Sequence, residues 1–201
     1  MRPYRTEDRD ALYDVCARTA DNGGDSRPAI PDLQLAGSVF AEPYPALEPE
    51  LTFVVDDGQR PVGYIVGTAD TATFARRFRE EWLPPLSERY PAPTSGGEPQ
   101  SLAELFVSLM HDPERLVLPE LADYPAHLHI ALLPSHQRSG FGRELMRVFL
   151  GALHNKGVQR AHLCMVTANT PARAFYDRLG FHVIDVPDPG PVNYLGRETL
   201  W

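Results

Sequence analysis

The sequence predicts an α/β protein built on a mixed sheet, and three observations predict it. Residues 51–69 read as two apolar runs joined at Asp57-Gly58, the signature of a hairpin. From residue 126 onward, strand-like and helix-like segments alternate. Between the two, residues 71–125 carry aromatic and aliphatic residues at helical spacing, so a helical, proline-rich stretch interrupts the sheet. With 201 residues and 43% apolar content the chain can bury one good core, and a single domain over 1–201 is expected.

Each element has a local reason. Residues 2–5 suit a short first strand. Thr6 is placed to cap a helix whose first turn holds Glu7, Asp8 and Asp10, with Leu12, Val15, Cys16 and Thr19 on its buried side and Asn22-Gly23-Gly24 at its end. A second helix is expected over 31–41, closed by the breaker run Pro43-Tyr44-Pro45. Phe74, Phe78 and Trp82 mark one face of a helix halted at Pro84-Pro85, and 91–99 is a Pro/Gly/Ser loop expected to be mobile. Ser101 to Glu104 forms a capping box for a helix with Leu105, Phe106, Leu109 and Met110 on one stripe. A strand over 126–133 leads to a helix over 139–156, whose buried face is expected at Phe141, Leu145, Val148, Phe149 and Ala152. A strand over 160–166 leads to a helix that opens at Thr170-Pro171 and stops at Gly180. Strands over 181–186 and 192–199 complete the sheet.

Composition narrows the function. A net charge of −8 argues against nucleic-acid or anionic-membrane partners and is compatible with attraction of a cationic amine. No run of 18 apolar residues occurs and residues 1–4 start no signal-peptide core, so a cytoplasmic protein is expected. Lys156 is the only lysine among 19 basic residues and prolines number 20, which suggests a GC-rich bacterial genome. Cys16 and Cys164 sit in apolar-patterned segments and are expected to be reduced core residues, not a disulfide or metal pair.

The chemistry concentrates after the apolar run His129-Ile130-Ala131-Leu132-Leu133. There the loop Gln137-Arg138-Ser139-Gly140-Phe141-Gly142 opens directly into a helix. Glycines let backbone N–H groups approach an anion, and the helix N-terminus adds partial positive charge. A dinucleotide site is disfavoured, because the third glycine of that fingerprint falls at Leu145 and the strand over 160–166 ends in no acidic residue. A Walker loop is excluded by the absence of Gly-Lys-Ser/Thr. Downstream stands a second motif, Asn169-x-x-Ala172-x-x-Phe175-Tyr176-x-x-Leu179-Gly180-Phe181.

Taken in order, strand, Gln-x-x-Gly-x-Gly, helix, strand and the Asn169 to Phe181 motif resemble the GNAT superfamily of acetyl-CoA-dependent N-acetyltransferases over about residues 126–186. The resemblance implies a mixed, mostly antiparallel sheet of six to seven strands flanked by helices, with a helical insertion between strands three and four. A narrower likeness adds Gly63-Tyr64-x-x-Gly67-Thr68-x-Asp70-x-x-x-Phe74, Trp82-Leu83-Pro84, Leu118-Pro119-Glu120 and Leu195-Gly196-Arg197. These resemble the C-terminal acetyltransferase-like domain of eukaryotic O-GlcNAc hydrolases, so a stand-alone bacterial counterpart is implied. The animal domain is viewed as having lost its glycine loop; here the loop is intact, which implies retained cofactor binding.

The resemblance also implies roles. The backbone of Leu132 and Leu133 would pair with the pantetheine arm. The N–H groups of Arg138, Ser139, Gly140, Phe141 and Gly142, following Gln137, would hold the pyrophosphate, with the Arg138 or Arg143 guanidinium near its charges. Asn169 would bond the pantetheine region and Phe175 would line the channel. Tyr176 stands where the superfamily places its proton donor to the coenzyme sulfur, and a backbone N–H around Leu133 would serve the oxyanion. For the base, Asp70, His127 and His129 are candidates, the two histidines sharing a sheet face. Many relatives carry an acidic residue where this chain has Ala131. His162 is the conceivable third ligand of a metal site, but no metal is expected. The expected activity is acetyl transfer from acetyl-CoA to an amine acceptor by direct attack, by a monomer or homodimer. The alternative is a catalytically weak or inactive acetyl-CoA-binding module with a sensing or interaction role.

Overall fold

The computed structural model describes residues 1–93 and 97–201. The 91–99 loop expected to be mobile falls partly on residues 94–96, which lie outside the described residues. Seven strands, β1 (Arg2–Pro3), β2 (Phe53–Asp56), β3 (Pro61–Thr68), β4 (Ala126–Leu132), β5 (Arg160–Val166), β6 (His182–Ile184) and β7 (Val192–Glu198), form one sheet. Their order is β1-β2-β3-β4-β5-β7-β6, and every neighbouring pair is antiparallel except β4 and β5. The helices are α1 (Arg9–Ala17), α2 (Leu35–Phe40), α3 (Pro43–Leu47), α4 (Thr71–Arg77), α5 (Leu102–Met110), α6 (Phe141–Asn155) and α7 (Thr170–Arg178). The mixed sheet and the insertion between β3 and β4 match the expectation.

Strand β3 is buried along its whole length because helices cover both faces of the sheet. On one face, α6 presses Phe149 into the space that Gly67 leaves open. A Cβ at Gly67 would lie 2.4 Å from the Phe149 ring and 2.3 Å from the His127 carbonyl oxygen. On the other face, Tyr44 of α3 stacks on Phe74 of α4, with ring centroids 4.4 Å apart, and both rings cover the β4 histidines.

Several local expectations are corrected. Thr6 does not cap α1; it lies inside a short 3₁₀ turn, Thr6–Asp8, and the Asp8 carboxylate accepts the Arg5 N–H at 2.8 Å and two Arg2 bonds at 2.6 and 2.7 Å. Pro43 does not break the chain but starts α3, since proline's missing N–H costs nothing in a first turn. The Phe74, Phe78, Trp82 repeat is not one α-helix: α4 widens into a π-turn over Phe78–Trp82, which lets the Trp82 indole N–H reach the Ser38 carbonyl at 3.0 Å. On α6 the buried stripe is Leu145, Met146, Phe149, Leu150 and Leu153, with Phe141, Val148 and Ala152 only partly covered. Cys16 is buried as expected, whereas Cys164 is exposed; both are free thiols.

One irregularity positions the site. The parallel pair β4 and β5 stays in register only at Ala126 with Ala161 and His127 with His162. Beyond these, the two strands diverge and leave a cleft that opens toward their C-terminal ends.

Candidate active site

The free backbone edge of β4 can be identified from its pairing with β3. Leu133 donates its N–H to the Val62 carbonyl at 2.9 Å, and the register pairs Tyr64 with Ala131 and Val66 with His129. Antiparallel residues alternate between bonding one neighbour and the other. The N–H and C=O groups of Ile130 and Leu132 therefore point into the cleft. This corrects the role expected of Leu133, whose N–H is consumed by β3 and whose side chain is buried. Gln137 Nε2 donates to the Leu132 carbonyl at 3.0 Å, so the groups left for a ligand are those of Ile130 and the Leu132 N–H.

At the end of β4 the chain makes the expected cradle. Arg138 has φ +60° and Gly140 has φ +84°, both in the left-handed region, and α6 starts at Phe141. The last N–H before this turn, on Gln137, bonds Pro134, and the first after it, on Glu144, bonds Gly140. Among the described residues no protein acceptor takes the N–H groups of residues 138 to 143. Six consecutive donors at a helix N-terminus form an anion nest. Arg138 is exposed beside it. Arg143 instead lies over the Trp201 ring, 5.8 Å from its centroid, a position that holds it against the C-terminal tail.

Helix α7 lies beside the start of α6 near the end of β4. Asn169 caps it, accepting the Ala172 N–H at 3.2 Å, and its amide nitrogen donates to the Asn22 carbonyl at 3.0 Å. The side chain expected to meet pantetheine is thus tied to the loop after α1. Phe175 packs against the start of α6, where a Cβ on Gly142 would come within 3.1 Å of its ring. Tyr176 is buried between Phe175 and Phe181, at centroid distances of 5.3 and 5.5 Å. Its hydroxyl bonds no group among the described residues, and burial pushes its pKa above the usual phenol range, so it carries its proton at neutral pH.

The floor of the cleft on the α3 face is a histidine cluster. His127 and His129 rings stand 6.2 Å apart, and His127 and His162 rings 5.7 Å. His127 is structural. Its Nε2 lies 2.8 Å from the Tyr44 hydroxyl and its Nδ1 2.8 Å from Thr71 Oγ1, which in turn lies 2.7 Å from the Pro125 carbonyl. A carbonyl only accepts, so the chain runs from Nδ1–H through Thr71 to Pro125, and Tyr44 donates to Nε2. His162 likewise gives Nδ1–H to the Tyr124 carbonyl at 2.7 Å. Among the described residues His129 has no such partner. Desolvation, aided by the nearby Arg115 charge, lowers its pKa to about 4, and His127 and His162 are also held below the ordinary imidazole value. All three rings are neutral at neutral pH. Among the described residues no group of three His, Cys, Asp or Glu is arranged to hold a metal ion.

Asp70 does not join this group. It lies at the far end of β3, where its carboxylate caps α4 by accepting the Thr73 N–H at 2.7 Å. It borders a broad groove with Asp123, Arg160 and Glu198 at the opposite end of the sheet. Cys164, expected in the core, is exposed because β4 has diverged from β5 beside it; desolvation by the cleft walls still pushes its thiol up to about 11. Ile130, whose backbone groups face away from β3, and Arg115, which lines a crevice with His129 and Tyr44, are positions to which the sequence did not point. The first depends on strand alternation, the second on an irregular segment with no periodic signal.

Residues 106–181 match the Acetyltransferase (GNAT) family. The chain is similar to Protein O-GlcNAcase of Mus musculus, with 28% identity over 206 residues that take in 98% of this chain and 22% of that protein. It thus spans about a fifth of the length of that relative. Over 58 residues it is 38% identical to the ribosomal protein bS18-alanine N-acetyltransferase of Haemophilus influenzae, covering 29% of this chain and 39% of that protein. The solved structure of SsHAT is 57% identical, has a TM-score of 0.94 and is matched over 100% of this chain and 98% of its own.

Proposed function

This chain belongs to the acetyltransferase (GNAT) family, and we propose that it transfers the acetyl group of acetyl-CoA to a primary amine by direct attack. The observation that carries the reading is a set of three features along β4, α6 and α7. They are an unpaired β4 edge at Ile130 and Leu132, a nest of six free N–H groups at residues 138 to 143, and a protonated Tyr176 on the flanking helix. These fit the parts of acetyl-CoA: an amide-bearing arm that adds to a strand edge, a diphosphate that needs donors, and a thioester.

Acetyl-CoA supplies an activated acyl group; its C–S bond breaks as the amine N–C bond forms. The sulfur gains one proton and the nitrogen loses one. Tyr176 gives the proton to the sulfur, since burial keeps its hydroxyl protonated. The inward-facing N–H of Ile130 or Leu132, rather than that of Leu133, stabilises the oxyanion. His129 is the neutral, unpartnered ring that accepts a proton from the amine. Neither cysteine acts as a nucleophile, because both thiols are pushed up to about 11 and stay protonated. The acceptor class spans small amines, peptide N-termini and protein lysines, and the protein is read as a cytoplasmic monomer or homodimer of bacterial origin.

A second reading, an acetyl-CoA-binding module that does not turn over, draws support from Ala131 and from the removal of Asp70 from the cleft. One assay separates them. With acetyl-CoA and a panel of amines, the enzyme releases free thiol only when an amine is present, and Tyr176→Phe lowers kcat by about 100-fold while leaving acetyl-CoA affinity unchanged. Tight cofactor binding without amine-dependent thiol release defeats the enzymatic reading.

A further inference from the structure

The insertion between β3 and β4 brings a cation, Arg115, beside the β4 histidine His129. Arg115 sits on a 3₁₀ turn, Pro113–Leu116, and lines a crevice with His129 and Tyr44. Its guanidinium is partly buried, yet among the described residues no carboxylate stands within ion-pairing distance. Among the described residues its one hydrogen bond runs from Nη1 to the Asp112 carbonyl at 3.1 Å. Arg2, by contrast, is held by Asp8 and Asp56 at 2.6 Å each, and half-buried Arg197, which also lacks a carboxylate, fills its donors with the Leu179, Glu198 and Leu200 carbonyls.

Apart from the exposed Asp112, the groups that face Arg115 offer no counter-charge. Tyr44 from α3, Cys164 from β5 and Tyr194 from β7 lie within its electrostatic reach, as do His127 and His129 from β4. The histidines are neutral, and burial pushes both tyrosines up, so at neutral pH these neighbours carry no charge. Asp112 is exposed and is the acidic group among its electrostatic neighbours, but it gives Arg115 only its backbone oxygen. A desolvated guanidinium cannot shed its proton, and an unpaired one is costly. Its planar fork is suited to two parallel bonds with a carboxylate or phosphate.

We infer that Arg115 is a specificity-determining residue that binds an anionic group on the amine acceptor, so that the preferred acceptor carries a carboxylate or phosphate close to its amine. This deepens the acetyl-transfer reading and rests on it. The amine would sit toward the β4 edge beside His129, with its acidic group on Arg115. Overall charge and local charge then act on different parts of one molecule. The −8 of the whole chain favours the ammonium end on approach, and Arg115 selects the acidic end inside the cleft.

The test uses the full chain and matched pairs: β-alanine against β-alaninamide, and phosphoethanolamine against ethanolamine. Thiol release with acetyl-CoA gives kcat/KM for each amine. Ring signals of isotopically labelled histidine report binding of the same probes without turnover, and calorimetry reports acetyl-CoA affinity. The acidic member of at least one pair should be favoured 10-fold or more, and which pair responds separates carboxylate from phosphate. Arg115→Gln should erase the ratio through KM, with acetyl-CoA affinity kept within 2-fold; Arg115→Lys should keep part of it and controls for folding. Where turnover is absent, shifts of the His129 signal by the acidic probes in wild type but not in Arg115→Gln support the subsite. Equal use of acid and amide, a ratio that survives Arg115→Gln, or neither turnover nor a His129 shift with any acidic probe overturns the inference. Failure of acetyl-CoA to bind wild type is a separate result, which strikes the acetyl-transfer reading instead.

Discussion

Gly140→Glu probes the nest while sparing the fold. Gly140 stands at the N-cap of α6 with φ +84°, and a Cβ built there meets nothing within 4 Å. No protein group has to move, so the structural cost is the left-handed backbone alone, about 1 kcal/mol. An acidic residue at a helix N-terminus returns about 0.5 kcal/mol of that. The melting point should consequently fall by no more than about 4 °C. The effect on acetyl-CoA is of another kind. A carboxylate about 7 Å from a doubly charged diphosphate, at an effective dielectric constant of about 40, loses about 2 kcal/mol, and about half of that under physiological salt. Calorimetric titration should show Kd raised about 5- to 30-fold, with the larger factor at low salt. Gly140→Ala carries the same backbone strain without the charge, and its Kd should stay within about 3-fold of wild type. If Gly140→Glu binds acetyl-CoA with wild-type heat and affinity at low salt, the nest is not the diphosphate site and the reasoning from residues 138 to 143 fails.

Two further outcomes follow from packing and burial. Gly67→Ala should destabilise the protein by about 3 kcal/mol in urea unfolding, because its Cβ would lie 2.3 Å from the His127 backbone oxygen, which cannot yield without parting β3 from β4; a loss under 1 kcal/mol would show that the two strands separate easily. Glu42 is buried with one unpartnered oxygen, and desolvation outweighs its 3.1 Å pairing with Arg9, so its carboxyl is raised from 4.5 to about 7. The folded state therefore holds this proton to higher pH than the unfolded chain does. Its contribution to stability is full below pH 4.5 and is lost as pH rises toward 7. Glu42→Gln should gain on wild type across that window, by up to about 3 kcal/mol, and parallel stability curves for the two proteins would contradict the burial of the charge.

Much of the architecture is legible because each element has its own period. The hairpin at Asp57-Gly58, the Ser101 cap, the stop at Gly180 and the strand-loop-helix passage through Gly140 are local features that the structure forms, although the expected capping box is only half made, because the Glu104 carboxylate accepts the Gln100 N–H at 2.7 Å and not that of Ser101. What is not legible depends on partners distant in sequence. Asp70 follows a strand and precedes Thr71, which suits either a catalytic carboxylate or an N-cap; the Thr73 N–H at 2.7 Å decides for the cap. Cys164 lies in an apolar run, His162-Leu163-Cys164-Met165-Val166, which gives no hint that the neighbouring strand has turned away from it. The stripe on α6 shifts by about a position because helix direction against the sheet, not periodicity, selects the covered face.

The most consequential of these is the divergence of β4 and β5. A strand in the middle of a sheet normally has both rows of backbone groups bonded, and unbonded ones in a protein interior are costly. Here the row on β4 that faces β5 loses its partner after His127. Gln137 shields part of it by bonding the Leu132 carbonyl. The groups of Ile130 remain, on the strand that leads to the unbonded N–H groups of residues 138 to 143. Exposed edges invite pairing with another chain, and this one, with only the Ile130 groups and the Leu132 N–H unbonded, is too short for an entire strand to pair with. A narrow ligand with a peptide-like arm can. The same strand alternation that withdraws the Leu133 N–H into the sheet is what turns Ile130 outward, so the error in the expected oxyanion donor and the identity of the true edge have a single cause.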